Sequence, residues 1–245
     1  MTGRRASSVT AQISRQARRF STAIAPQLTK IEPVAVLQKL EQVQIKISDM
    51  AQLQRAVEQY VMRNSVQFEP VEFDIFDKEG YRIMQASLYP EEVILQEGSR
   101  KICEISLIDP DDASSVLKIK HPVTGMTVYE LRELGGTIVI QTNTDELKGA
   151  RIMTQTSGFA GLMVACGCGF SKERWTVLTQ DRQVAVVTPV KSFFSENEIK
   201  AEWIAACDNE VRLISVAYGL SQMIREAFPS LLHIVKEHST RRAIF

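Results

Sequence analysis

From Asp208 to Phe228 the chain runs DNEVRLISVAYGLSQMIREAF. Arg212, Ser215, Gly219, Gln222 and Glu226 recur at intervals of three and four, so on a helix they form one narrow stripe. Val211, Leu213, Ile214, Val216, Ala217, Tyr218, Leu220, Met223 and Ile224 cover the remaining arc, which is wider than the one-sided apolar face of a surface helix. A helix of this kind has to be enclosed. Arg212 and Arg225 bracket only about twelve residues where a bilayer-spanning helix needs roughly twenty, so protein rather than lipid is expected around it.

Upstream, between Glu72 and Pro189, the period changes to two. Glu72 to Ser87 predicts strand, turn, strand, with Lys78, Glu79 and Gly80 at the turn and Phe73, Ile75, Tyr81 and Ile83 alternating. Cys103 to Lys120 repeats the pattern around Asp109, Pro110, Asp111 and Asp112. Thr127 to Thr142 turns on Gly135 and Gly136, Arg151 to Cys166 around Ser157 and Gly158, and Arg174 to Pro189 at Gln180, Asp181 and Arg182. Hairpins that are marginal alone must associate, and closure into a barrel removes their exposed edges. A barrel of about ten to twelve strands is too wide for its own side chains to fill, and an oily helix following the last hairpin fills it.

The expected fold is therefore mainly β with helices: a closed antiparallel barrel of about ten to twelve strands around a hydrophobic C-terminal helix. An amphipathic N-terminal helix precedes it, from Val34 to about Arg63, on which Leu37, Leu40, Ile47, Met50, Leu53, Val57, Tyr60 and Val61 recur at steps of three and four with Gln44 interrupting. That helix either packs on its own domain, the expected outcome, or pairs with a partner helix. The divisions are 1–20, 21–71 as the N-terminal arm, 72–228 as barrel with central helix, and 229–245. In the last, Pro229 breaks the chain and a helix resumes from Ser230 to about Arg242.

Charge adds one asymmetry. Across 245 residues, 29 Lys and Arg balance 29 Asp and Glu, so there is no overall bias toward nucleic acid or anionic lipid, and no specific nucleic-acid partner is predicted. The stretch Met1 to Ile31, however, carries Arg4, Arg5, Arg15, Arg18, Arg19 and Lys30 with many Ser, Thr and Ala, and the first acid is Glu32. That is transit-peptide composition, with cleavage expected near Phe20 and a mitochondrial destination, in the matrix or on the matrix side of the inner membrane. The alternative is a basic tail that touches phosphate or acidic partners.

The succession of hairpins, the last of them WTVLTQDRQVAVVTPV (Trp175 to Val190), and VRLISVAYGLSQMI (Val211 to Ile224) in the place of a central helix together resemble the phospholipid scramblase and LURP-one-related proteins, which share the tubby C-terminal-like fold. The resemblance spans about Glu72 to Phe228. It implies a closed barrel threaded by a helix and a tie to phospholipid. It does not carry over lipidation or a calcium response: of the family's cysteine-rich cluster only Cys166 and Cys168 are present, and Ser195 to Glu210 lacks the family's aspartate spacing.

No catalytic residues, cofactor or metal are predicted. Cys166 and Cys168 with Cys103 or Cys207 fit small buried residues better than zinc, and an Asp-Pro-Asp-Asp turn accounts for Asp109, Asp111 and Asp112 without calcium. Glycines in Gly161 to Gly169 lack the order of a phosphate loop. Lys118, Lys120 and His121, with Tyr129 expected nearby, form a small basic face that suits a lipid headgroup or a partner. The expected function is a non-catalytic, scramblase-like module engaging phospholipid or the inner-membrane surface. The alternative is an accessory or assembly subunit of a mitochondrial complex, docking through its terminal helices.

Overall fold

The computed structural model describes residues 30–142, 147, 149–156, 173–190 and 198–244. The arginine-rich stretch and the cleavage position near Phe20, the turn at Ser157 and Gly158, and Cys166 and Cys168 lie outside the described residues.

Twelve strands among the described residues close into one antiparallel barrel. They are β1 (Gln42–Ile47), β2 (Val71–Phe76), β3 (Arg82–Leu88), β4 (Val93–Glu97), β5 (Arg100–Ser106), β6 (Ser115–Lys120), β7 (Thr127–Leu134), β8 (Thr137–Thr142), β9 (Arg151–Thr156), β10 (Glu173–Thr179), β11 (Arg182–Pro189) and β12 (Glu198–Trp203). Each pairs with its neighbour in sequence, and β1 closes the ring against β12, with Val43 opposite Ala201 and Ile45 opposite Ile199. No strand edge is left open. Four helices accompany the barrel among the described residues: α1 (Ala35–Gln38), α2 (Met50–Arg63), α3 (Asn209–Gln222) and α4 (Pro229–Ile244), with a π-turn over Met223–Ala227 between the last two.

The alternation that predicted strands also sets their two faces. Val43, Ile45, Phe73, Ile75, Leu95, Ile105, Leu117 and Ile119 point inward and are buried, while Gln44, Lys46, Asp74, Gln85, Glu104 and Lys118 occupy the outward positions between or opposite them. A charged outer wall fits water rather than hydrocarbon. No described helix is long and apolar enough to cross a membrane.

α3 threads the bore and is buried from Val211 to Gln222. Its small residue Gly219 meets the β1–β12–β11 wall: a Cβ built there lies 3.2 Å from Ile199, 3.3 Å from Ile45 and 3.4 Å from Val187. On another side Tyr218 meets Trp175 edge-to-face, ring centroids 6.0 Å apart. At Gly219 the stripe read as polar thus lies close against the wall.

One expectation is corrected, and two strands lie where none was assigned. The single helix from Val34 to Arg63 is two helices with β1 between them, so the barrel begins at Gln42 and not at Glu72. Pairing on both sides, to β2 and β12, decides the conformation of Gln42–Ile47, and Asp49 then starts α2 by accepting a hydrogen bond from the Ala51 N–H at 2.8 Å. The stretch after Ser195 supplies β12, whose Ile199 and Ala201 face the bore. Between the first two predicted hairpins lies a further strand, β4, which pairs with β3 and β5.

Candidate functional site

The two mouths of the barrel follow from strand direction. Turns β2–β3, β4–β5, β6–β7 and β10–β11 lie at one mouth, together with α1 and the start of α3. The loops β3–β4, β5–β6 and β7–β8 lie at the other, together with α2, α4 and the end of α3.

An arginine ties α3 down at each mouth. At the first, Arg212 is 4% exposed and donates to main-chain carbonyls only: Leu37 at 2.6 Å, Gln38 at 2.9 Å, and Leu40, Ala205 and Cys207 at 3.0 Å each. It also lies over the Trp203 ring, 5.6 Å from its centroid, and the Trp203 indole donates to the Leu40 carbonyl. With Asn209 placed so that its amide meets the Val34 N–H and C=O, this holds the segment around α1 across the mouth. At the second mouth Arg225 donates to the carbonyls of Leu107 at 3.0 Å and Val116 at 2.5 Å, and to Ser221 Oγ at 3.2 Å. Burial pulls its guanidinium below the ordinary range. The bore is therefore occupied and anchored at both ends.

Of the residues singled out as a basic face, Lys118 and Lys120 share the outer side of β6, but Lys118 is paired with acids and His121 is buried in the turn. Lys118 sits in an ion network, 2.5 Å from Asp109 and 3.6 Å from Glu130, and Arg132 lies 2.8 Å from Asp112 and 3.1 Å from Glu130. The Lys118 hydrogen bond holds the Asp109 carboxyl below the usual carboxylate range and raises the Lys118 ammonium. Hydrogen bonds from Ser114 lower Asp112. The oxygens of Asp109, Asp112 and Glu130 all lie within 4.8 Å of one another, but Lys118 and Arg132 already neutralise them, which is the arrangement of a surface charge network rather than a cation cage.

His121 is buried and works inside the β6–β7 turn, where its Nδ1 accepts from the N–H groups of Val123 at 3.3 Å and Thr124 at 3.4 Å. Tyr129 stands opposite Ile119 and faces the bore. Lys120 alone of the three remains a half-buried outward cation with no ion-pair partner among the described residues, across from Glu104 in the ladder. Cys103 and Cys207 are free and buried, and burial pushes their thiols up to about 12 and about 11. Neither is poised as a nucleophile.

Arg212 and Arg225 were visible in sequence only as brackets of the oily stretch, because carbonyl acceptors carry no side-chain trace. Comparison with family models, curated proteins and solved structures gave no match to this chain.

Proposed function

We propose that this protein is a non-catalytic, scramblase-like barrel module that engages phospholipid at the matrix face of the mitochondrial inner membrane. One observation carries the reading: α3 is buried along its length inside a closed barrel, so the chain fills its own bore and its binding capacity falls to the outer surface and the two mouths. The resemblance of the hairpin order and of Val211 to Ile224 to phospholipid scramblase and LURP-one-related proteins supports the choice of phospholipid, and the basic composition of Met1 to Ile31 supports the compartment.

Flotation of the purified protein on vesicles of four parts phosphatidylcholine to one part cardiolipin tests it. Protein in the lipid fraction is the expected result, and protein left entirely at the bottom of the gradient rejects the reading. A second reading, an accessory subunit of a mitochondrial complex, is favoured by one surface: Val61 and Met62 are exposed on α2. That helix is fixed to α4 by the Tyr60–His233 contact at 3.0 Å and by Arg241 on Asn64. On that reading the protein migrates in a large mitochondrial particle, and V61D/M62D releases it.

A further inference from the structure

We infer that the β6–β7 turn, with Tyr81 of the β2–β3 turn on the same rim, is the part of the protein that enters an anionic phospholipid surface; this rests on the reading given under Proposed function. Val123 is 84% exposed, the highest value among the large apolar side chains described, and Met126 on the same turn is 52% exposed. Tyr81 is 71% exposed. Turns β2–β3, β4–β5 and β6–β7 follow one another around one mouth, so these side chains project from the same sector of the rim.

An exposed valine alone is ordinary. The N–H groups of the turn that presents this one are already bonded within it. The His121 N–H donates to the Met126 carbonyl at 2.8 Å and the Gly125 N–H to the His121 carbonyl at 3.0 Å, while His121 Nδ1 and Thr124 Oγ1 accept from Val123, Thr124 and Met126. A tip whose N–H groups are satisfied within the turn leaves only its carbonyls to desolvate or to keep at the headgroup level when its apolar side chains enter lipid. The Tyr81 turn is built alike: Asp77 Oδ1 accepts from the N–H groups of Glu79 and Tyr81.

Charge selects the surface. Lys120 leads into the β6–β7 turn, and Arg100 and Lys101 start β5 at the neighbouring turn, Arg100 paired with Glu97 and Glu32 and Lys101 with Glu104. In the loops of the same sector at the opposite mouth Lys118 and Arg132 balance Asp109 and Asp112, which leaves Glu91, Glu92 and Asp111 in excess. Around the apolar tips the cations Lys78, Arg82, Arg100, Lys101 and Lys120 outnumber the acids Asp77, Glu79 and Glu97, so an anionic bilayer favours this sector of the rim over the acidic loops opposite it.

The test uses the full chain and the vesicles named above, beside vesicles of phosphatidylcholine alone. V123D/M126D is expected to reduce partition onto the cardiolipin vesicles by about tenfold or more, while V61D/M62D at the other mouth floats like wild type. In a separate variant, V123W, tryptophan emission shifts to the blue on adding cardiolipin vesicles and is quenched by brominated lipid, a readout independent of whether the aspartate variant folds. If wild type floats but V123D/M126D floats equally, or V123W shows neither shift nor quenching, the assignment of this turn is overturned and lipid binding stands. If wild type does not float, lipid binding itself fails and this inference falls with it.

Discussion

Replacing Arg212 with methionine keeps a long apolar stem and removes five N–H donors from a site that holds only carbonyl acceptors. Of the five carbonyls, Leu37 keeps the Leu40 N–H and Leu40 keeps the Trp203 indole, so those of Gln38, Ala205 and Cys207 depend on the guanidinium. At about 1–3 kcal/mol for each buried acceptor left unmade, the loss is roughly 3–9 kcal/mol before relaxation. Methionine also avoids the several kcal/mol that burying a cation costs, which brings the expected net destabilisation to about 2–4 kcal/mol. That is a large part of a typical domain stability of about 5–15 kcal/mol. With a urea slope near 3 kcal/mol/M, R212M should lower the midpoint by about 1 M, followed by circular dichroism and tryptophan fluorescence together. R212K keeps the charge with three donors and no planar fork, so it should fall between the two. A midpoint for R212M within about 0.2 M of wild type, or R212K less stable than R212M, would refute the view that carbonyl capture by Arg212 holds the α1 segment across the mouth.

Other expectations follow from the same packing. Gly219→Val places methyls against Ile199, Ile45 and Val187, where a single Cβ already lies at 3.2–3.4 Å, and should cost about 3 kcal/mol or more by urea denaturation. Asp109 is held low by Lys118, so its contribution to stability is present above the ordinary aspartate pKa near 4 and is lost as pH falls through its lowered native value. D109N should therefore flatten the acid limb of a stability–pH curve below about pH 4, and an unchanged limb would remove Asp109 from that role. Cys103 and Cys207, with thiols near 12 and 11, should escape iodoacetamide at pH 8 in the native protein and react once it is unfolded, as peptide mass spectrometry of the labelled sites will show.

The central helix was legible because a mostly apolar circumference admits one explanation, enclosure, and the hairpins because turns such as Gly135–Gly136 interrupt clean alternation. Both glycines have positive φ, 59° and 77°, as a tight hairpin requires, and Gln180 and Asp181 adopt the same region at 50° and 62° without being glycine. β1 was hidden because Leu40 and Ile47 stand seven apart, a spacing that also suits a helix, and its strand state is imposed by β12 at the far end of the chain. β12 was hidden because Ala201 weakens the alternation between Ile199 and Trp203. Lys118 was assigned to the outer face, as observed, but its carboxylate neighbour Glu130 comes from the register of β6 against β7, which one strand's pattern does not contain. One strand's pattern does not show a partner that lies across the ladder or on the main chain.

Closure between β1 and β12 joins the two ends of the barrel sequence, so the ring cannot form until both are available, and contacts this distant make for slow folding. The α1 segment then locks the ring, since Val34 and Leu37 are fully buried beside it and Arg212 and Asn209 grip its main chain. Ile31 is the first described apolar residue to be buried. The cleavage expected near Phe20 lies upstream of every residue named in the lock, so removal of a transit segment there takes away basic charge and leaves those residues in the chain. A cut beyond Leu40 would instead strip Arg212 of three of its acceptors and leave a buried cation facing an open mouth.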